Sequence, residues 1–282
     1  MSALVCGRFR LSLDRPLIMG IVNVTPDSFS DGGQHANPDA AIAQAMQLID
    51  DGADILDIGG ESTRPGAAPV DAETELARVL PVVKALKDTA VPISVDTSKP
   101  EVMRAVLAAG ASMINDVNAL LAPDAIEILA QSEAGVCLMH KQGTPQTMQA
   151  APHYDDVLDE VRAFLAERVR VCELAGIARE RIAVDPGIGF GKLLEHNLAL
   201  LRNLSDLRID GTTMLIGVSR KAWLGQLTGA PIDDRDCISA IAASIALANG
   251  ADIARVHNVR ATREALVINR ALMDADFGNL NG

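Results

Sequence analysis

Eight short apolar runs in this chain each end in side chains able to do chemistry. In order, the endings are Asn23, Asp57, Asp96, Asn115 with Asp116, His140, Asp185, Ser219 with Arg220 and Lys221, and Arg255 with His257. Asp, Asn and Ser bond their own backbone two residues on, so turn chemistry accounts for any one ending. It accounts less well for all eight. The cations stand out because the chain is acidic, with a formal net charge of −12. Arg64, Lys221, Arg255 and His257 are the set that a diphosphate requires, a bidentate guanidinium with a lysine and an imidazole. The competing reading is that Arg255 and His257, on one face of a strand, make structural salt bridges. Asn23 beside such an anion could complete the shell of Mg²⁺, which takes oxygen ligands and keeps water and phosphate oxygens.

Asp96 and Asp185, with Asn115, could hydrogen-bond the donor-rich edge of a heterocycle carrying an amino group and a ring N–H. Alternatively the two acids cap the turns before Pro100 and Gly187. The chain holds one Trp, one Tyr and five Phe. Of these, Phe29, Phe190 and Trp223 are expected in loops at the mouth of the site, where a flat ligand could stack on them. They could equally serve only to cover those loops.

The acidic balance argues against nucleic acid and anionic membranes as partners, since both reward a cationic surface. No apolar run reaches the ~20 residues that span a bilayer. The opening stretch MSALVCGRFRLSLDRP lacks the apolar core of a signal peptide. Cys6, Cys137, Cys172 and Cys237 are far apart and show neither C-x-x-C nor zinc spacing. They read as reduced, buried thiols of a cytoplasmic protein.

Strand-like and helix-like segments alternate throughout, and they must carry these residues. The runs at 17–24, 54–59, 92–96, 112–116, 136–140, 182–185, 214–219 and 252–257 are apolar without alternation, as strands buried on both faces are. Between them, Asn37 before Pro38, Lys99 before Pro100 and Ala122 before Pro123 mark helix starts. The segments 71–90 and 155–175 show the 3.6-residue period of amphipathic helices. Gly52-Ala53-Asp54, Gly110-Ala111-Ser112 and Gly250-Ala251-Asp252 each close a helix and open a strand, a weak internal repeat. Eight β/α units in this length predict a (β/α)₈ TIM barrel, whose active site forms at the carboxyl ends of the strands. The competitor is a doubly wound sheet, disfavoured because no G-x-G-x-x-G follows the first strand. Leu4, Cys6, Leu11 and Leu13 around Gly7 predict a short N-terminal hairpin. The chain is thus expected to divide into a hairpin over 1–16 and a single barrel domain over 17–277. Polar loops at 25–37 and 61–71 are long for a compact domain and read as functional lids.

The loop sequences NVTPDSFSDGG and GGESTRPG resemble dihydropteroate synthase. VDTSKP at 95–100, IND at 114–116, DPGIGFGK at 185–192, SRK at 219–221 and RVH at 255–257 extend the likeness in family order. The resemblance implies a pterin-binding (β/α)₈ barrel, usually homodimeric, that condenses hydroxymethyl-dihydropterin diphosphate with para-aminobenzoate and requires Mg²⁺. Carried over, it places Asp96, Asn115, Asp185 and Lys221 on the pterin, with Arg255 stacked over it. Asn23 falls to Mg²⁺, and Thr63, Arg255 and His257 to the diphosphate. Arg64, Pro65, Lys221 and Phe29 fall to the aminobenzoate pocket, which sulfonamides would share. Asp96, Lys221, Arg255 and His257 are then the catalytic set, with Asp96 kept ionised beside a cationic pterin. Phe190 joins the substrate-binding group.

Three positions depart from the family pattern. Ala222 replaces a common serine after SRK, Asn258 an aspartate after RVH, and Lys141 a methionine after MH. The segment 239–249, SAIAASIALAN, is apolar on nearly every side, so a second subunit is expected to cover it. Two rival activities remain, a pterin-binding methyl-transfer module of a corrinoid system and a sugar-phosphate barrel enzyme. Neither needs the whole set of motifs.

Overall fold

The computed structural model describes residues 2–25, 37–62, 66–144 and 146–273. Strands joined by helical crossovers run parallel, because the helix returns the chain to the end from which it started. The strands are β1 (Ala3–Cys6), β2 (Phe9–Ser12), β3 (Leu17–Asn23), β4 (Ile55–Gly59), β5 (Ile93–Asp96), β6 (Met113–Asp116), β7 (Gly135–Met139), β8 (Ile182–Asp185), β9 (Thr213–Gly217) and β10 (Ile253–Val256). From β3 to β10 they pair in sequence order, and β10 closes on β3 with Arg255 opposite Met19. Closure confirms the barrel and rules out the doubly wound sheet.

The helices are α1 (Pro38–Asp50), α2 (Ala72–Leu86), α3 (Pro100–Ala109), α4 (Ala125–Ala130), α5 (Val157–Leu174), α6 (Leu194–Arg202), α7 (Ala222–Thr228), α8 (Asp236–Ala248) and α9 (Val259–Met273). Asn37 accepts from the backbone of Asp39 and Ala40 ahead of Pro38, so the cap read from the sequence forms. Asp71 and Asp156 cap α2 and α5 in the same way. Two repeat aspartates do more than mark helix ends. Asp54 accepts the Ile18 N–H of β3 at 2.9 Å, and Asp252 the Met214 N–H of β9 at 2.7 Å. Each stitches the start of one strand to its neighbour.

Val24, His140, Ser219 and His257 lie just past the strands expected to contain them. The chain leaves the ladder there, although Val24 and His140 still donate to Gly59 and Asp185.

Two cores result. One fills the space between barrel and helices. The other lies inside the barrel, where Leu17, Met19, Ile55, Met113, Cys137, Ala183, Leu215 and Ile253 converge. Leu4 and Cys6 of the N-terminal hairpin complete it. β1 and β2 pair antiparallel as expected, and the Gly7 N–H ties their turn to Glu133 at 2.8 Å. Cys6, Cys137 and Cys172 are buried free thiols, but Cys237 is exposed. It sits in the first turn of α8 on the outer side, correcting the expectation of four buried thiols.

Candidate active site at the carboxyl end of the barrel

A cavity of about 640 Å³ opens at the carboxyl ends of the strands. Asn23, Asp96, Phe190, Lys221, Arg255 and His257 all line it. Arg255 organises the floor. From β10 its Nε reaches Asp57 Oδ2 of β4 at 2.6 Å, and Nη2 reaches Asp96 Oδ2 of β5 at 2.8 Å. Asp57 is wholly buried and also accepts from Asn115 Nδ2 of β6 at 3.0 Å. Arg255 thus makes salt bridges, as the structural alternative required, and does so at the cavity floor. His257 takes no part in them. Its backbone N–H and Nδ1 meet Ser219 Oγ at 3.2 and 2.9 Å.

Electrostatics follow from this burial. Desolvation lifts the Asp96 carboxyl to about 7 against the pull of Arg255, with the charge on Asp57 adding to the rise. Desolvation also raises Asp185, which the Gly187 N–H and Lys221 partly offset. Burial alone would lower Arg255, yet Asp57 and Asp96 raise it and hold it cationic. Burial therefore pushes Asp96 up while Arg255 holds it down.

The capping reading of Asp185 holds. Its Oδ1 accepts the Gly187 N–H at 2.7 Å and caps the turn. Its Oδ2 faces Gly217, where a Cβ would lie 3.9 Å away. Phe190 sits in the following turn, with Lys221 Nζ 3.9 Å from its ring centroid. Trp223 corrects an expectation. It lines the cavity from the second position of α7 rather than from a loop, because nothing in Ala222-Trp223-Leu224 interrupts helix formation. Thr63, Arg64, Pro65 and Phe29 lie outside the described residues.

The strand endings divide by role. Asp116 accepts from Asn118 and Leu120 at 2.7 and 2.8 Å, holding a turn with positive φ at Ala119 and Leu120. It is structural. Asp57 was legible as an ending but not as the floor of the site. The signal was an acid inside the apolar run Ile55–Gly59, which burial obliges to find a partner. Lys99 was passed over as well. It bonds both Glu61 and the wholly buried Glu75, while Glu61 accepts from Val70 N at 3.3 Å. Arg78 donates to the carbonyl of Gly60. The base of the second long loop is therefore tied at both ends.

Of the three departures, Ala222 lines the cavity without a hydroxyl. Asn258 accepts from Ala261 N at 2.9 Å at the start of α9 and donates to Asp236 at 3.2 Å, a donation an aspartate could not make. Burial lowers the Lys141 ammonium, while Asp116 and Glu61 oppose the fall.

Among the described residues no three His, Cys, Asp or Glu side chains gather to hold a metal ion. Asn23 offers one neutral amide oxygen at the cavity wall. That donor set fits an Mg²⁺ carried mainly by phosphate oxygens and water.

Comparison with known proteins agrees with this geometry. The pterin binding enzyme family matches residues 19–257. The dihydropteroate synthase of Escherichia coli (strain K12) is 50% identical over 266 residues, covering 94% of each chain. The crystal structure of Burkholderia cenocepacia dihydropteroate synthase complexed with 7,8-dihydropteroate superposes with a TM-score of 0.88 at 48% identity, covering 96% of both chains. Xanthomonas albilineans dihydropteroate synthase with 4-aminobenzoic acid gives 0.91 at 50% identity, over 97% of this chain and 98% of that one. The chain belongs to the pterin-binding enzyme family, and within it to the dihydropteroate synthases, transferases of folate synthesis.

Proposed function

We infer that the protein joins hydroxymethyl-dihydropterin diphosphate to para-aminobenzoate, giving dihydropteroate and diphosphate. The C–O bond to the diphosphate breaks, with the electron pair leaving on oxygen. The arylamine nitrogen forms the new C–N bond and loses a proton to solvent. The observation that carries this reading is the Asp57–Arg255–Asp96 bridge beneath the cavity. It sets a permanent cation between two acids where a flat, donor-rich ring would lie. Asp96, Asn115 and Asp185 would accept or donate along the pterin edge. Arg255, Lys221 and His257 would steady the departing charge, a contribution made where charge develops. Thr63 would sit on the diphosphate, and Arg64, Pro65, Lys221 and Phe29 on the arylamine side, with Phe190 lining the wall beside Lys221. With Asn23 as its protein ligand, Mg²⁺ would supply neutralisation of the leaving group. Sulfonamides would compete with the arylamine.

A homodimer fits the surface. Ile241 and Ile245 of α8 are 52% and 55% exposed, and Val267, Ile268 and Leu272 of α9 are more so. α8 and α9 pack together, and exposed apolar side chains on both are what a second subunit would cover. The cytoplasm is the compartment consistent with the free thiols. No described helix is long and apolar enough to cross a membrane, and the net charge disfavours nucleic acid. The catalytic unit is taken to be the barrel over 17–277, with the hairpin over 1–16 as its plug.

The test is diphosphate release by the purified protein with Mg²⁺ and the pterin diphosphate, with and without para-aminobenzoate. Arylamine-dependent release that yields dihydropteroate is expected. Tight pterin binding without turnover would favour the methyl-transfer module instead.

A further inference from the structure

The mechanism above assigns no part to the buried pair Lys192 and His140. Lys192 is 3% exposed, although the cavity reaches it. Its Nζ lies 3.0 Å from His140 Nδ1 and donates to the Phe190 carbonyl at 3.1 Å. Burial lowers the Lys192 ammonium to about 7; while protonated, its Nζ has no acceptor, so His140 Nδ1 accepts. Burial and the neighbouring Lys192 charge keep that imidazole neutral. The His140 ring is itself held edge-on by Phe164, with centroids 5.1 Å apart.

The turn that Lys192 grips is built for close approach. Gly187 has φ of +69°, and a Cβ there would fall 1.8 Å from the His140 carbonyl oxygen. Gly189 donates to Asn197 Oδ1 at 2.7 Å, and Tyr154 donates to the Gly191 carbonyl at 2.8 Å. These bonds flank Phe190 on both sides. Lys192 bonds the Phe190 carbonyl, while the Phe190 N–H donates to the Gly187 carbonyl at 3.1 Å. The ring of Phe190 in turn sits under the Lys221 ammonium.

Stability does not explain this arrangement. Desolvating an amine is costly, and an apolar side chain of similar volume would fill the space without that cost. We propose that Lys192 is a positioning residue for the arylamine. Pinned between His140 and the Phe190 carbonyl, it fixes the ring of Phe190 at the cavity wall. The inference rests on the function proposed above, which places Phe190 and Lys221 in contact with substrate.

Lys192→Met keeps the stem length and removes the donor. In steady-state assays of the full chain, the KM for para-aminobenzoate should rise about tenfold, the scale of one lost buried charge-assisted hydrogen bond. The KM for the pterin diphosphate should stay within about twofold and kcat within about threefold. A folded variant with unchanged arylamine KM, or with both KM values raised alike, overturns the proposal. If Lys192 acts through Phe190, the two residues must couple. Adding Lys192→Met to Phe190→Leu should then raise the arylamine KM by less than about twofold, and a full additive rise overturns the proposal. Should Lys192→Met fail to fold, His140→Phe removes the acceptor from the other side. It should give a smaller rise of the same selectivity, and an unchanged arylamine KM there counts against the proposal. A parent protein with no arylamine-dependent diphosphate release defeats the functional reading itself, and this proposal with it.

Discussion

The two ends of the barrel are made from the same eight strands and hold opposite interiors. At the amino end, Leu17, Met19, Ile55 and Leu215 meet Leu4 and Cys6 of the hairpin in one apolar cluster. At the carboxyl end, Asp57 and Asp96 bond Arg255, Asn115 bonds Asp57, and Asp185 is buried nearby. One carboxylate oxygen of Asp57 has no partner among the described residues. Apolar burial stabilises in proportion to area, whereas buried polar groups cost free energy unless each is satisfied. The amino end can therefore hold the fold, while the carboxyl end retains groups poised for a ligand. Such sites trade stability for function.

Removing Arg255 should break this contrast most severely. Arg255→Met leaves Asp57 and Asp96 facing each other without a cation. Chemical unfolding should show a loss of about 3–5 kcal/mol, and kcat should drop roughly a thousandfold. A variant as stable as its parent would mean that the arginine does not compensate those acids. At the opposite end, Leu4→Ala should cost about 2–5 kcal/mol by the same unfolding measurement. Its kcat should be unchanged at a temperature where the variant is folded, and a large change in turnover would show that the plug communicates with the site.

A subtler separation comes from pH. Asp96 moves from 3.8 to about 7 in the folded chain, so in that window the folded state binds a proton that the unfolded state has released. Its contribution to stability is complete below about pH 4 and is lost as pH rises through about 7. Asp96→Asn does not titrate. Its stability relative to the parent should therefore climb with pH across that window, by at most about 1.4 kcal/mol per pH unit. A flat difference would mean that burial does not raise the Asp96 carboxyl. Least disruptive is Ala222→Ser, which adds a hydroxyl at the cavity wall. Arylamine and sulfonamide affinities should shift by about 0.5–1.5 kcal/mol, read by calorimetry. If neither moved, the departure at Ala222 would have no bearing on binding.

The amino acid order reveals much of this molecule because its elements are locally marked. Asn37 before Pro38 and the Gly-Ala-Asp repeats state where helices begin and strands resume. Uninterrupted apolar runs announce strands covered on both faces, hence a parallel sheet. The strand endings at Asp96, Asn115, Asp185, Lys221, Arg255 and His257 could be read as a set because a barrel gathers carboxyl ends at one mouth. Trp223 escaped the reading, since the start of α7 after Lys221 carries no side-chain cap to mark it. The roles of Asp57, Lys99 and Lys192 escaped it for another reason. Each acts through a partner distant in sequence, respectively Arg255, Glu75 and His140.

The sequence alone determined the element order, the barrel, the family motifs and the chemistry of the endings, because period, caps and residue type are local properties. Tertiary structure alone decided that Arg255 spans Asp57 and Asp96, that Asp116 serves a turn, and that the hairpin seals the amino end. Which acid meets which base depends on closure of β10 onto β3, a pairing more than 200 residues apart. Local sequence carries no signal of that distance.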